Sequence, residues 1–261
     1  MQIKMSKPFS IIDVKFYPKE ECVEAKNTLK QYNYECMSII HEDRIGSMNY
    51  IYDKFRPKNE EEFWHRWTDE LLYDKNAPMS EQGRSIDFLY DLALEYQSKC
   101  DRDIPAVIYF KDILMHAIFQ TWSGRKREEE ITAILKKLGY NVIHSCHKED
   151  SKLNIDLMVF KDGKLAFLLQ IKPISTFRNN ANWALKTRKK FFGMQKKGTK
   201  KYGVPYYYLI YNSHYDTDMK WVYNDKRQTF LFTLEELCCD NGSLHKEVDL
   251  TKNTEKVEIT V

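Results

Sequence analysis

The stretch Asp156-Leu-Met-Val-Phe-Lys-Asp-Gly-Lys-Leu-Ala-Phe-Leu-Leu-Gln-Ile-Lys172-Pro173 constrains this chain most, because it sets polar groups at the ends of two apolar runs. Leu157 to Phe160 and Leu165 to Ile171 are short, apolar and bounded by turn residues, the pattern of buried strands. Asp162-Gly163 between them is a strong hairpin turn signal. Side chains alternate along a strand, so Gln170 and Lys172 project from one face and Ile171 from the other. An antiparallel pairing closed at Asp162-Gly163 returns Asp156 to the side of Gln170 and Lys172. Carboxylate, amide and ammonium then converge.

Two readings of that convergence are open on spacing alone. One is a buried ion pair with a hydrogen-bonded Gln at the end of a hairpin. The other is a site for Mg²⁺, which takes a few hard oxygen ligands and keeps several waters, with the lysine orienting or deprotonating a metal-bound water.

Upstream, Ile131, Ile134, Leu135 and Leu138 fall at i, i+3, i+4 and i+7, the apolar stripe of an amphipathic helix, with Gly139 as its C-cap. The helix is expected to open after Gly124 with three glutamates. Glu128 shares the face of Ile131, Leu135 and Leu138, whereas Glu129 and Glu130 are displaced by about 100° and 200°. Glu128 is therefore the one aimed at the sheet. The other two complement the helix N-terminal dipole.

The order Glu128 on a helix, a strand near Val142 to His144, Asp156, then Gln170-x-Lys172 on a hairpin resembles the PD-(D/E)xK nuclease superfamily over about residues 121 to 212. The single-function length is similar to that of a type II restriction endonuclease. The resemblance implies an α/β restriction-endonuclease-like fold, with a mixed central sheet flanked by helices. It implies catalytic roles for Glu128, Asp156, Gln170 and Lys172, and one or two Mg²⁺ ions held by Glu128, Asp156, Gln170 and the Ile171 carbonyl. Two positions depart from the pattern: Ile155 stands where proline usually precedes the aspartate, and Gln170 stands for the usual acid. The latter removes one negative charge and leaves open whether Gln170 is a ligand or an orienter.

Charge supports an anionic partner. Between Asp162 and Asp216 there is no acidic residue, while Lys164, Lys172, Arg178, Lys186, Arg188, Lys189, Lys190, Lys196, Lys197, Lys200 and Lys201 supply eleven positive charges. The rest of the chain carries 30 basic against 38 acidic residues, so the overall +3 hides a polarised molecule. An acid-free run of this length points to nucleic acid held beside the hairpin. The expected DNA contacts are Arg178, Asn180, Lys186, Arg188, Lys189, Lys190, Lys196 and Lys197. Asn179, Asn182, Trp183 and Gln195 are interleaved with them and can reach phosphates or base edges.

Residues 1 to 120 read as a helical N-terminal region and 121 to 261 as the catalytic core. Helical spacing marks Glu20 to Tyr32, Glu60 to Tyr73, Ser85 to Tyr96 and Ala106 to Trp122, punctuated by Pro57, Pro78 and Pro105. Phe63, Trp64 and Trp67 read as a core stripe, with Trp64 and Trp67 alternatively at a subunit interface. Later strands are expected at Val204 to Asn212, Trp221 to Tyr223 and Thr229 to Phe232, with Thr233 capping a helix at Leu234 to Cys238.

No apolar run approaches 18 residues and no signal-peptide pattern opens the chain, so a cytoplasmic, non-membrane protein is expected. Six cysteines without CxxC pairs read as reduced thiols, and His144-Ser-Cys146-His147 lacks the second cluster that structural zinc requires. The expected activity is Mg²⁺-dependent, sequence-specific cleavage of double-stranded DNA by a homodimer at a palindrome. A structure-selective or repair nuclease, and a DNA-binding protein that kept the fold without catalysis, remain the alternatives.

Overall fold

A computed structural model describes residues 13–31, 48–70, 86–99, 103–145, 147–178, 182–212, 220–245 and 254–255. The chain divides into two compact units, Met1–Lys126 and Arg127–Val261. In the first unit, α1 (Lys19–Gln31), α2 (Met48–Phe55), α3 (Glu60–Glu70) and α4 (Ile86–Lys99) surround α5 (Ala106–Leu114). Helix α2 escapes the sequence reading although Met48, Ile51, Tyr52 and Phe55 fall at i, i+3, i+4 and i+7, because at eight residues it is too short for the pattern to repeat. Helix α5 starts after Pro105, as expected, and continues through a π-helical turn, Met115–Gln120, into α6 (Thr121–Lys137). Among the described residues, no helix is long and apolar enough to cross a membrane.

Aromatic side chains dominate the core of the first unit. Trp64 and Trp67 meet edge to face at 5.6 Å, Tyr52 packs the same way on Phe63 at 5.7 Å, and Tyr96 on Tyr109 at 5.2 Å. Phe63, Trp64 and Trp67 are all buried there, so the core reading holds and the two tryptophans do not offer an interface.

The second unit is built on a seven-stranded mixed sheet, ordered β1-β2-β3-β4-β5-β7 with β6 also paired to β4. The strands are β1 (Asn141–His144), β2 (Leu157–Lys161), β3 (Lys164–Pro173), β4 (Tyr206–Asn212), β5 (Lys220–Val222), β6 (Leu231–Phe232) and β7 (Thr254–Glu255). The expected hairpin is β2 and β3, antiparallel, closed by Asp162 and Gly163 at φ 51° and 75°. Two consecutive positive φ values make a type I′ turn, whose twist matches that of the strands, and Asp-Gly is among the few pairs that adopt it readily. Strand β3 then runs parallel to β4, a pairing that needs a crossover, here α8 (Ser175–Arg178) and the long α9 (Asn182–Tyr202). The β2 to β3 hairpin follows α7 (His147–Leu153), and α10 (Leu234–Leu237) follows β6.

Two helices cover the two faces of the sheet. Leu168, Tyr206, Tyr208 and Ile210 pack with Phe191 and Phe192 of α9. Leu169, Ile171, Leu209 and Tyr211 pack with Ile131 and Leu135 of α6. Strand β3 is thus buried on both sides, the layering of an α/β domain. Gly198 lets α9 approach closely, since a Cβ there would lie 3.3 Å from the Tyr206 ring.

Helix ends follow local chemistry. Tyr140 N–H donates to Leu135 O and Gly139 N–H to Lys136 O, with Gly139 at φ 84°, a Schellman end to α6. Thr233 and Glu236 form the capping box of α10. Other details differ from expectation. Helix α6 does not begin after Gly124, because the preceding helical turns run straight into it. The three glutamates therefore sit inside a helix, where they complement no N-terminal dipole, and Leu138 is 41% exposed instead of completing the stripe.

Helix α9 has two contrasting faces. Ala184, Arg188, Phe191, Phe192 and Gln195 are buried, whereas Lys186, Lys189, Lys190, Lys196, Lys197, Lys200 and Lys201 are exposed. Arg188, expected at the DNA, lies inside: Nε donates to Gly242 O at 2.6 Å and one Nη to Thr176 O at 2.8 Å. The loop it holds packs so tightly that a Cβ on Gly242, at φ 84°, would lie 2.5 Å from Leu185 O. Arg188→Met should therefore destabilise the protein by about 2–4 kcal/mol, since it removes two charge-assisted hydrogen bonds. Lys189→Ala should leave the urea midpoint unchanged. Equal midpoints for both variants would show that Arg188 does not hold this loop.

Candidate active site

The site assembles where β2 begins and β3 ends. Asp156 N–H donates to Leu169 O at 3.0 Å, and its own carbonyl accepts from Ser145 N–H at 3.0 Å, which ties the chain after β1 to the hairpin. The side chain of Asp156 turns toward β3. Its Oδ2 accepts from Gln170 Nε2 at 2.6 Å and from Ile171 N–H at 2.7 Å. Gln170 has no exposed surface. Its Oε1 lies 3.3 Å from the Tyr206 hydroxyl, which also contacts Leu153 O at 3.1 Å and Asn154 O.

Glu128 enters from α6 with a side chain only 14% exposed, and its Oε2 accepts from His144 Nδ1 at 3.2 Å. Since His144 pairs with Leu157 across β1 and β2, this contact brings Glu128 to the strand that starts directly after Asp156. Among the three glutamates, Glu130 is exposed and Glu129 half-buried. Lys172, two residues beyond Gln170 and half-buried, completes the set.

Electrostatics register the convergence. The Asp156 carboxyl is pushed up to about 7, first by burial, against the opposing attraction of Lys172, with Glu128 and Asp150 adding to the rise and the Ile171 N–H working against it. Burial also raises the phenol of Tyr211, whose hydroxyl accepts from Arg127 at 2.9 Å. A cation at Asp156 would offset the burial that now disfavours its charge.

Among the described residues, no three His, Cys, Asp or Glu side chains converge to hold a metal ion by themselves. The oxygens on hand are those of Asp156, the amide of Gln170 and the main-chain carbonyl of Ile171, with Glu128 near enough to act electrostatically on Asp156. All are hard donors suited to Mg²⁺, so the donor chemistry fits that ion. As placed, however, Gln170 turns its nitrogen toward Asp156.

The expected site residues Glu128, Asp156, Gln170, Ile171 and Lys172 therefore gather in one unit. Sequence reasoning does not reach His144 and Tyr206, which hold Glu128 and Gln170; the only signal at His144 is a soft-metal cluster, whereas its ring faces a carboxylate. The side chains of Cys146 and His147 lie outside the described residues, as do those of Arg178 and Trp183 and the whole of Asn179 and Asn180. Gln195 is buried and donates to Glu235, so it does not reach outward. Lys196 pairs with Asp240 at 3.5 Å and Lys201 with Glu149 at 2.6 Å. Among the described residues, Lys186, Lys189, Lys190, Lys197 and Lys200 form no ion pair.

Comparison with protein-family models, with curated proteins and with solved structures finds no match to this chain.

The raised Asp156 carboxyl predicts a pH dependence. Its folded value of about 7 lies above the ordinary 3.8, so the folded protein keeps a proton that the unfolded chain releases. Stability is then full below pH 4 and falls as pH rises toward 7. Asp156→Asn can accept the same two hydrogen bonds on one oxygen without a charge. In metal-free buffer it should exceed the wild type at pH 8 by on the order of 2–4 kcal/mol and match it near pH 4. Urea denaturation at both pH values measures this; an advantage that does not grow with pH would show that Asp156 is not strained by burial.

Proposed function

We propose that this protein is a Mg²⁺-dependent endonuclease of the PD-(D/E)xK type that cleaves double-stranded DNA at a specific sequence, as type II restriction enzymes do. The observation that carries this reading is the half-buried Asp156 carboxylate. It is bonded to Gln170 and the Ile171 N–H, and it feels the charges of both Lys172 and Glu128. A merely structural ion pair would not need the second carboxylate, which makes folding costlier. The exposed lysine row of α9, which follows β3 in the chain, supports the same reading.

In this mechanism Asp156, Glu128, the Gln170 amide oxygen and the Ile171 carbonyl would hold the ion. When bound, Mg²⁺ supplies an acidified water and stabilises charge developing on the phosphate. Lys172 Nζ donates to the attacking water and to a phosphate oxygen, fixing the line of attack on phosphorus as the P–O bond breaks. His144 keeps Glu128 oriented. Lys186, Lys189, Lys190 and Lys197 hold neighbouring phosphates, which gives register on the duplex without reading bases. Two copies related by a two-fold axis would cut both strands of a palindrome.

Incubation with a mixed-sequence plasmid and Mg²⁺ should give discrete fragments, with linear product and little nicked intermediate if two copies act together. Asp156→Ala should abolish cutting while DNA binding persists. Glu128→Gln should cost at least about a hundredfold in rate, an effect on the scale of losing one electrostatic catalytic group, and Glu129→Gln or Glu130→Gln far less. Absence of cleavage by the wild type in Mg²⁺ or Mn²⁺, or wild-type rates in Asp156→Ala, would reject the proposal.

The lysine row makes a separate prediction for binding. Lys189→Ala with Lys190→Ala should reduce the slope of log affinity against log salt by about 0.9 for each phosphate that these two lysines neutralise, whatever the sequence of the duplex. An unchanged slope would mean that DNA lies elsewhere.

A further inference from the structure

The contacts of Gln170 conflict with the number of protons available to them. A phenol carries one proton and two lone pairs. The Tyr206 hydroxyl faces three acceptors as the structure stands: Leu153 O at 3.1 Å, Asn154 O, and Gln170 Oε1 at 3.3 Å. Main-chain carbonyls can only accept, so the proton is committed to them. What Tyr206 then presents to Gln170 is a lone pair. Gln170 Oε1 gains nothing there, whereas Nε2 would gain a hydrogen bond.

Turning the amide over satisfies Tyr206 but sets Oε1 beside Asp156 Oδ2, where Nε2 now donates at 2.6 Å. When Asp156 is ionised, two acceptors at that separation repel unless a cation lies against both. The two orientations therefore suit two states. With no cation, Nε2 serves the carboxylate. With one, both oxygens turn to it and Nε2 is released to Tyr206.

We infer that the Gln170 amide turns over when a divalent cation binds at Asp156, and that Tyr206 is the positioning residue whose hydroxyl oxygen accepts Nε2 in the cation-bound orientation. The inference rests on the reading of Asp156 as a cation ligand. Tyr206 is built for a fixed role. Its ring stacks on Tyr208 at 5.5 Å with planes 3° apart, Gly198 of α9 closes over it, and it is buried. Asn154 holds a positive φ of 56° directly before Ile155 and Asp156, so the carbonyls that engage Tyr206 belong to the segment that delivers the carboxylate. The device explains the departure from an acid at position 170. A glutamine gives Asp156 a donor without adding a further negative charge beside it in the empty site, yet still offers a hard oxygen when the ion arrives.

The test uses Mg²⁺ alone, without DNA. In ¹⁵N-labelled wild-type protein, the Gln170 side-chain amide pair, assigned by its loss in Gln170→Glu, should shift on Mg²⁺ titration as its acceptor changes from carboxylate to phenol. Calorimetric titration should show Tyr206→Phe weakening Mg²⁺ binding about fivefold, the worth of one hydrogen bond. In the Gln170→Glu background the same change should matter less than about twofold, since a carboxylate has no nitrogen to place. If the wild type binds Mg²⁺ and Asp156→Ala does not, but the amide pair stays put or Tyr206→Phe weakens both backgrounds alike, the turnover is refuted while the cation site stands. If wild type and Asp156→Ala bind Mg²⁺ equally or not at all, both readings fall.

Discussion

The hydrogen bonds from Ile171 N–H and Gln170 Nε2 to the Asp156 carboxylate hold this site together. A carboxylate taken into a sheet loses the water that stabilises it, and burial accordingly weakens Asp156 as an acid. Two donors on β3 offset part of the cost, and both depend on the pairing that sets Leu157 against Leu169. A slip of one residue would turn Gln170 to the opposite face and leave the carboxylate unserved. The same register that buries Leu168 and Leu169 on opposite sides is thus the register that builds the polar cluster.

Strand β3 is apolar on both faces until Gln170, and this explains why polar groups can gather only at its C-terminal end. Along Leu168 and Leu169 the strand is closed by α9 on one side and α6 on the other. Beyond Ile171 the strand emerges, with Lys172 and Pro173 half-buried. In an open sheet with a parallel pair, that end is where a crevice forms and where ligands are met. Glu128 reaches the same end because α6 lays Ile131 and Leu135 on the sheet, which fixes the rotation of the helix and turns Glu128 to His144, while Glu130 meets Trp221 of β5.

Helix α9 separates two uses of positive charge. Arg188 has spent its guanidinium on carbonyls 12 and 54 residues away, and so anchors the loop at Gly242 to the crossover. The lysines keep their ammonium groups in water, where a point charge on a flexible stem suits phosphate. Composition alone makes no such distinction, so residue type does not separate the buried Arg188 and Gln195 from their exposed neighbours.

What the sequence by itself determined about this protein is everything whose cause lies within a few residues. The Asp162-Gly163 turn, the alternation that places Gln170 and Lys172 together, the Gly139 and Thr233 helix ends and the aromatic core around Trp64 and Trp67 were all legible, since φ preferences, caps and apolar periodicity act locally. Gly124 misled because a glycine inside a helix costs only about 1 kcal/mol, which packing of the turns on either side can override. Only the tertiary structure decided that His144 holds Glu128 from 16 residues away, that Tyr206 reaches Gln170 across 36, and that Arg188 turns inward to Gly242 across 54. Those pairs exist because helices and strands, once packed, present side chains to one another at distances along the chain to which no local preference extends.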